Sequence, residues 1–389
     1  MFHAGKVAAE LEAHRETFQQ SMEESRLLLQ TYGEALRHAS ESGLADLNAR
    51  LLDHPWPGAR PLVGSGARFI ESWDQGWTSV EQARVWALST LRGVPTAAVD
   101  GSQIAASKEF GVPVSLVQVA YFLNPHDGDR PYLKDVRNES VAQEAGELES
   151  DEYAFGESRL NQRRFAMEMT VAIECMERLA SQPPPVVFVD GTLVLSFVGR
   201  LPSTARELYI GSVLRLLQRS QELQIPVVGY VDLSYARDVV TMLRTAYDLE
   251  DGPIVDVQLL QPHMKWFERT IVCECARGDV LPLYVQDGID MAHELCFVYV
   301  KMGAERPPSR LDVPRWVVDA GLLDHVLDVV RAESVVGSGY PYALETADAA
   351  AVLSTQDRMQ FYRLFQHFSE SIGMGTVVPG KSVSKSHRR

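Results

Sequence analysis

The segment Pro95-Thr-Ala-Ala-Val-Asp-Gly-Ser102 is a short apolar run that ends on an acidic residue, Asp100. A second run, Val186-Val-Phe-Val-Asp-Gly191, has the same form and ends on Asp190. Unbroken runs of β-branched and other apolar residues are typical of strands that are buried on both faces of a sheet. Each of the two acidic residues is therefore predicted to stand at the end of a buried strand.

The residues around these two runs predict a series of helices and strands. Apolar runs bounded by turn residues predict the strands, and apolar residues at helical spacing predict the helices. The predicted elements are, in chain order, an amphipathic helix at Val7–His38, strands at Pro95–Asp100, Val112–Leu123 and Arg130–Val136, a helix at Ser158–Ala180, a strand at Val186–Val189, a helix at Ser203–Leu223, a strand at Pro226–Val231, and helices at Ala236–Tyr247 and Tyr342–Leu353. The apolar face of the first helix is expected to pack on the body of the protein or to contact a second copy or another partner.

The charge of the chain restricts how it can bind nucleic acid. The 389 residues include 37 Lys and Arg against 52 Asp and Glu, which gives a net charge of −15. This charge argues against a protein that coats nucleic acid without specificity, because phosphate binding needs clustered basic residues. It does not exclude an enzyme that admits nucleic acid into one lined channel.

Several features predict a soluble, cytoplasmic protein. The 4 cysteines are too few for a disulfide framework, which favours a reduced compartment. Met1–Phe18 carries charges throughout and has no apolar core of the kind found in signal peptides. The longest uncharged apolar stretch, Gly111–Pro125, is too short to cross a bilayer. No association with a membrane is therefore expected.

Two motif matches fail because of their context. Gly375–Ser382 fits the letters of a phosphate-binding loop, but too few residues follow it to form the helix and the acidic strand that such a loop requires. Phe188–Leu193 resembles the first motif of haloacid dehalogenase phosphatases, but Phe188 stands where those enzymes carry the nucleophilic Asp. Neither match predicts a function.

Acidic residues at strand ends form the strongest functional signal. Asp100, Asp190 and Asp232 each follow an apolar run, and a single Asp of this kind is usually a turn residue. Several of them on one sheet favour a site, because neighbouring strand ends bring side chains close together. Adjacent carboxylates repel one another, and a divalent metal ion between them relieves that repulsion.

Two helical acids are candidates for the same site. Glu168 lies at the edge of the apolar stripe of its helix, where it is either a metal ligand or the ion-pair partner of Arg164 one turn earlier. Asp348 lies within the apolar stripe of a late helix, where it is either a ligand or an exposed helical residue. The order of strands, helices and acids predicts the α/β ribonuclease H-like fold, a mixed central sheet flanked by helices, here with an N-terminal helical extension.

An ordered set of motifs resembles the NurA nuclease family over most of the chain, from about Pro95 to Leu353. The motifs are Ala98-Val-Asp-Gly-Ser102, Phe188-Val-Asp-Gly-Thr-Leu193, Val228-Gly-Tyr-Val-Asp232 followed by Arg237, Arg310-x-Asp312-x-Pro314, and Gly339-Tyr-Pro-Tyr342. A single Asp-Gly-Ser is a weak signal, whereas the ordered set is fairly specific.

The resemblance implies roles for individual acids. Asp100 and Asp190 match the family's two metal-binding Asp residues, and Glu168 best matches the Glu between them. Asp232 matches a position that is Asp in some members and basic in others. Asp348 stands where the family has a late His. We therefore expect Asp100, Glu168 and Asp190 to bind metal, with Asp348 or Asp232 completing a second metal position.

Further residues are candidates for contact with nucleic acid. Arg164 and Arg237 are expected to contact phosphate or to pair with a nearby acid. Tyr230, Tyr235 and Trp266 are candidates for stacking on bases, although burial in the core is the favoured interpretation for each.

The resemblance also implies cofactors and partners. It implies a Mn²⁺- or Mg²⁺-dependent deoxyribonuclease with two ions in its site, which degrades single-stranded DNA from 5′ to 3′ and also acts as an endonuclease. It implies a homodimer that works with the hexameric HerA helicase in DNA end resection and double-strand break repair. The alternatives are another ribonuclease H-like nuclease, which cleaves RNA or junctions, and a catalytically impaired adaptor of a DNA-translocating ATPase.

The sequence predicts three consecutive regions. They are an N-terminal helical region at 1–92, the nuclease domain at 93–370, and a basic tail at 371–389.

Overall fold

The computed structural model describes residues 3–62, 68–72, 77–106, 114–142, 153–180 and 184–373. Its helices are α1 (Ala4–Ala13), α2 (Arg15–Ser42), α3 (Leu44–Arg50), α4 (Val80–Leu91), α5 (Tyr153–Leu179), α6 (Ser203–Leu223), α7 (Asp238–Tyr247), α8 (Asp256–Leu260), α9 (Arg315–Asp319), α10 (Leu323–Val336), α11 (Tyr342–Ala351) and α12 (Thr355–Ser371). Its strands are β1 (Gly58–Pro61), β2 (Ile70–Ser72), β3 (Thr96–Ile104), β4 (Val114–Asn124), β5 (Leu133–Ala142), β6 (Val186–Asp190), β7 (Val227–Val231), β8 (Glu268–Thr270), β9 (Cys273–Ala276), β10 (Val285–Gln286), β11 (Ile289–Asp290), β12 (Leu295–Val300) and β13 (Ser309–Pro314).

The chain forms two compact units, each assembled from separated stretches. Unit 1 takes its residues from 1–78, 230–285 and 290–315, and unit 2 from 79–229, 286–289 and 316–389. The expected regions at 1–92 and 93–370 are consecutive, whereas these units interleave along the chain. Most of the basic tail and the rejected match at Gly375–Ser382 lie outside the described residues.

The sheet of unit 2 has the strand order β5-β4-β3-β6. Strand β4 pairs antiparallel with both β3 and β5. Strand β6 pairs parallel with β3, and Val99 lies opposite Val189. The parallel pairing follows from the long helix α5, which returns the chain to the end of the sheet at which β3 began. This arrangement confirms the predicted mixed sheet flanked by helices.

Helices α5 and α11 pack on opposite faces of β3. Both helices contact β3 and β4. Side chains alternate between the two faces of a strand, and Gln103 donates a hydrogen bond to Asn161 of α5, whereas Ser102 donates one to the carbonyl of Ala351 in α11. Asp100 shares the face of Ser102, and Gly101 shares the face of Gln103.

Unit 1 contains a second group of antiparallel strands, in the order β1-β9-β12-β13. Its core holds a buried ion cluster centred on Arg310 of β13, which is 2% exposed. The Arg310 guanidinium donates to Asp312 at 2.7 Å and to Asp238 of α7 at 2.5 Å. The cluster therefore ties a strand to a helix through charges that water does not reach.

The predicted N-terminal helix is present but divided. Helix α1 ends at Ala13 and α2 begins at Arg15, with His14 between them. Apolar residues of the predicted stripe remain exposed, among them Leu11 at 57% and Phe18 at 51%. The later residues of the same stripe do pack on the body of the protein, because Tyr32 and Leu36 are 0% and 2% exposed and the Tyr32 hydroxyl donates to the carbonyl of Glu250 at 2.8 Å. The expected packing is therefore confirmed for the C-terminal half of the stripe and not seen for its N-terminal half. Contact with a partner stays a prediction.

The described residues contain no helix that is both long and apolar enough to span a membrane. The cysteines at 175, 273, 275 and 296 are buried and are not bonded to one another.

Candidate active site

Unit 2 contains the acids that the sequence places at the site, with the exception of Asp232. Asp100 lies on β3, Glu168 on α5, Asp190 at the end of β6, and Asp348 on α11. Burial raises the pKa of Asp100 to about 6, and the negative charges of Asp190 and Asp348 contribute to the rise. The charges of Asp190 and Asp348 therefore act on Asp100, and a metal site among these acids stays a prediction.

Glu168 approaches β3 through a gap that glycine provides. A Cβ atom at Gly101 would collide with the Glu168 carboxylate. Burial raises the pKa of Glu168 to about 7, while the neighbouring Arg164 cation opposes that rise. The Nη1 atom of Arg164 lies 2.7 Å from Oε1 of Glu168 and donates a second bond, of 3.0 Å, to the carbonyl of Gly101. Of the two interpretations left open for Glu168, the ion pair with Arg164 is present in the structure, and binding of a metal ion stays a prediction.

Asp190 is exposed at the point where β6 ends. The next residue, Gly191, has a φ of 104°, which lets the chain turn away directly after the carboxylate. The hydroxyl of Tyr340 donates a hydrogen bond of 3.3 Å to Oδ1 of Asp190. Tyr340 was not predicted as a site residue, although it belongs to the Gly339-Tyr-Pro-Tyr342 motif that the sequence singles out. That motif was the available signal.

Asp348 is exposed on α11. Its helix begins at Tyr342, the last residue of the Gly339-Tyr-Pro-Tyr342 motif, with Pro341 as the residue that precedes the first turn. Leu344 and Ala347 on the same helix are buried, as the predicted apolar stripe requires. Asp348 therefore borders that stripe, and its charge is among those that raise the pKa of Asp100.

The donor atoms of this group suit a hard divalent cation. All of them are carboxylate oxygens, which Mg²⁺ and Mn²⁺ prefer as ligands. As the side chains stand, no three Asp, Glu, His or Cys residues within the described ranges are arranged closely enough to hold an ion. Glu168 is held by Arg164 on one face of β3, while Asp100 is on the other face. The residue types suit a divalent cation, but their side chains must change rotamer before they can bind the same ion.

The remaining predicted site residues lie in unit 1. Asp232 is exposed and accepts a hydrogen bond of 3.4 Å from the hydroxyl of Ser309. Arg237 is held by a loop, because its guanidinium donates to Asp251 at 2.5 Å and to the carbonyls of Gly252 and Ile254. Of the two interpretations of Arg237, pairing with a nearby acid is the one present.

The aromatic candidates differ in their exposure. Tyr230 is 0% exposed, and its hydroxyl lies 3.0 Å from that of Ser309, so its ring has no face open to a base. The prediction that Tyr230 contacts nucleic acid is wrong for this reason, and the favoured interpretation as core is the correct one. For Tyr235 and Trp266 the favoured interpretation is wrong, because they are 79% and 48% exposed.

Comparison with known proteins identifies the family. A family model described as the NurA domain matches residues 94–353, which is more than half of the chain. No match was found among curated proteins. The residues matched by the NurA model include the strands and helices that carry Asp100, Glu168, Asp190 and Asp348.

Solved structures of nucleases are among those similar to the chain. A crystal structure of NurA bound to dAMP and manganese is 11% identical, over 86% of this chain and 94% of that one, with a TM-score of 0.39. The catalytic domain of human endonuclease V is 13% identical, over 78% of this chain and 92% of that one, with a TM-score of 0.32. A Ciona intestinalis endonuclease V in complex with DNA is 11% identical, over 74% and 99%, with a TM-score of 0.31. The assignment rests on the family model, and the chain belongs to the NurA family of nucleases.

Proposed function

We propose that this chain is a deoxyribonuclease that hydrolyses phosphodiester bonds with two divalent cations, Mn²⁺ or Mg²⁺. One observation carries the proposal. The pKa of Asp100 is raised by its burial and by the charges of Asp190 and Asp348, while the Arg164 cation opposes the rise, so several acids act on one buried carboxylate. Such a group is unfavourable in an isolated protein, and a bound cation removes the repulsion.

The proposed roles follow from where each side chain lies. Asp100 and Asp190 present oxygens from adjacent parallel strands, and Asp348 faces Asp100 from α11. Tyr340 orients Asp190 through its hydrogen bond. Glu168 joins the group when its carboxylate leaves Arg164, which frees that guanidinium for a phosphate oxygen. Divalent cations at such a site lower the pKa of a bound water molecule and stabilise the oxygen that leaves the phosphodiester.

The proposed substrate is single-stranded DNA, degraded from 5′ to 3′ and also cut internally. The membership in the NurA family supports a nuclease, and the polarity is what the resemblance implies. The net charge of −15 supports delivery of the strand by a partner, because a protein of this charge does not attract DNA by itself. A HerA-type hexameric helicase is the proposed partner, and a homodimer acting in DNA end resection and double-strand break repair is the proposed assembly.

A digestion experiment tests the nuclease. Single-stranded DNA labelled at its 5′ or its 3′ end is incubated with the protein and Mn²⁺, and with a chelator as the blank. We expect label release that depends on the metal, with mononucleotides released first from the 5′ label. Asp100→Asn is expected to abolish release, while the exposed Asp129→Asn behaves as the wild type. Metal-independent release, or full activity in Asp100→Asn, contradicts the proposal.

A second experiment tests how the site is completed. Asp348→Asn is expected to lower cleavage more than Asp232→Asn does, because Asp348 is among the charges that act on Asp100. Asp348→His introduces the residue that the family usually carries there, and we expect it to retain cleavage. Glu345→Gln, an exposed acid on the same helix, is the control. Equal losses in Asp348→Asn and Glu345→Gln contradict the role of Asp348, and an inactive wild type favours the adaptor alternative.

A further inference from the structure

Helix α11 is hydrogen-bonded at both of its ends by side chains from other elements. At its start, Oε2 of Glu333 in α10 accepts the backbone N–H of Ala343 at 2.9 Å. At its end, the carbonyl of Ala351 accepts from the hydroxyl of Ser102 on β3 and from Nε2 of Gln118 on β4, the latter at 3.1 Å. The first N–H groups and the last carbonyls of a helix have no partners within it, so these contacts use the groups that are available.

The same Glu333 carboxylate also holds the start of β3. Its Oε1 accepts the hydroxyl of Thr96 at 2.8 Å, and Nε2 of His126 lies 3.4 Å from the same oxygen. Glu333 is 1% exposed, and a carboxylate buried to this extent is costly unless it has several partners. Its negative charge at the start of α11 is stabilised by the helix dipole. One buried side chain therefore joins the first residue of β3 to the first turn of α11.

The two donors at the other end of α11 act as a pair. Ser102 and Gln118 are direct cross-strand partners in the register of β3 and β4. Opposite residues of a strand pair point to the same face of the sheet, and here both side chains donate to one carbonyl. Ser102 is two residues after Asp100, so the donor and the candidate ligand share a face of β3.

We propose that Glu333 and the Ser102–Gln118 pair are positioning residues that fix Asp348 relative to Asp100. Asp348 lies on α11 between the two anchored ends, and Asp100 lies on β3 between Thr96 and Ser102. Hydrogen bonds therefore join β3 and α11 on both sides of the two acids, through Glu333 at one end and through Ser102 at the other. The helix cannot slide or tilt along β3 without losing the buried hydrogen bonds of Glu333 at its start or the partly buried ones to Ala351 at its end. This inference rests on the proposed function for the role of the two acids, but not for the anchoring of α11.

The test uses the full chain with an altered anchor at either end of α11. Glu333→Gln keeps the size of the side chain and removes its charge. The double variant Ser102→Ala with Gln118→Leu removes both donors at the other end, and it is available if Glu333→Gln does not fold. Leu327→Ala is the matched control, because Leu327 is a fully buried residue of the same helix α10 that makes no part of the anchor.

Two measurements distinguish positioning from stability alone. Amide hydrogen exchange in the metal-free protein measures how strongly the backbone N–H groups of α11 are protected relative to those of α6. Calorimetry measures the Mn²⁺ affinity. We expect the anchor variants to lose protection in α11 selectively and to bind Mn²⁺ roughly tenfold more weakly, as replacing groups that orient metal ligands usually does. Leu327→Ala is expected to lower the melting temperature while leaving the relative protection of α11 and the Mn²⁺ affinity near wild type.

The outcomes separate this inference from the proposed function. Anchor variants with wild-type protection of α11, or with a Mn²⁺ affinity no weaker than that of Leu327→Ala, overturn the inference. A wild-type protein that binds no Mn²⁺ overturns the proposed function. The exchange measurement needs no metal, so it decides the anchoring of α11 in either case.

Discussion

The guanidinium of Arg164 and the carboxylate of Glu168 form an ion pair of 2.7 Å across one turn of α5, directly behind Gly101 of β3. The pair is partly shielded from water, because the Glu168 side chain is 12% exposed. Burial raises the pKa of the Glu168 carboxyl group, and the Arg164 cation opposes this rise because it favours the ionised form. Arg164 thus partly offsets the effect of burial on Glu168, whose pKa is still raised to about 7 in the metal-free protein.

The close approach of Glu168 to β3 predicts the effect of Gly101→Ala. The added Cβ atom collides with the Glu168 carboxylate, so that side chain must leave its place. We expect DNA cleavage and Mn²⁺ affinity to fall at least tenfold, with circular dichroism unchanged. Gly128→Ala is the matched control, because a Cβ there meets nothing within 4 Å. Wild-type cleavage by Gly101→Ala contradicts a role for Glu168 in this position.

The hydrogen bond from Tyr340 to Asp190 predicts the effect of Tyr340→Phe. The variant keeps the ring and loses the hydroxyl that orients Asp190. We expect kcat to fall about fivefold to tenfold with little change in KM, because an orienting contact acts on the reacting geometry. Tyr342→Phe removes a hydroxyl from the same motif, where the ring packs edge-on against Phe122. Equal effects of the two variants exclude a specific role for Tyr340.

The buried cluster around Arg310 predicts a large loss of stability in Arg310→Met. The substitution leaves Asp238 and Asp312 in the core without the cation that both of them contact. We expect the free energy of unfolding to fall by about 3 kcal/mol or more, as is usual when one member of a buried ion pair is removed. Arg50→Met breaks an exposed pair with Asp46 and is expected to cost far less stability, because water screens the charges of exposed pairs. Denaturant titration measures both, and a small loss in Arg310→Met contradicts the prediction.

The burial of Asp256 predicts a pH dependence of stability. Burial, and then the nearby charge of Asp238, raise the pKa of Asp256 from 3.8 to about 7. Between these two values the folded protein holds a proton that the unfolded chain has released. The contribution of Asp256 to stability therefore falls as the pH rises from about 4 to about 7, and it is constant above that range.

Replacing Asp256 by Asn isolates this contribution. Asn does not titrate and retains an oxygen that can accept the N–H of Val240, which Asp256 binds at 2.9 Å. We expect the stability of Asp256→Asn relative to wild type to rise steadily between pH 4 and pH 7 and to level off above that range, measured by denaturant titration at each pH. Asp53→Asn, at an exposed position, serves as the comparison. A difference that does not vary with pH contradicts the assignment to Asp256.

The elements that position the site were predictable where burial gives a clear pattern. The run Val186–Val189 is fully buried in β6, and helix α6 has the predicted bounds Ser203–Leu223. Asp190 ends β6, as the apolar run before it predicts, whereas β3 continues past Asp100 to Ile104, so the prediction that Asp100 stands at a strand end is wrong. These features depend on neighbours in the chain, which the sequence displays directly.

Contacts between distant segments were not predictable in this way. Tyr230 ends in the core, and Tyr235, five residues later, is exposed, although both were given the same interpretation. The pairing of Tyr340 with Asp190 joins residues that are far apart in the chain. Which side of a residue is covered depends on the elements that fold over it, and a local pattern does not contain that information.

The sequence by itself determined the family and the order of the elements of unit 2, and it singled out Asp100, Glu168 and Asp190 as candidate ligands. It did so because apolar periodicity and short motifs are local properties of the chain. The tertiary structure alone decided that Arg164 holds Glu168 behind Gly101 and that separated stretches form each unit. Those results depend on side chains that approach one another only after β3, α5 and α11 have packed, since hydrogen bonds and ion pairs act over a few ångströms of space rather than along the sequence.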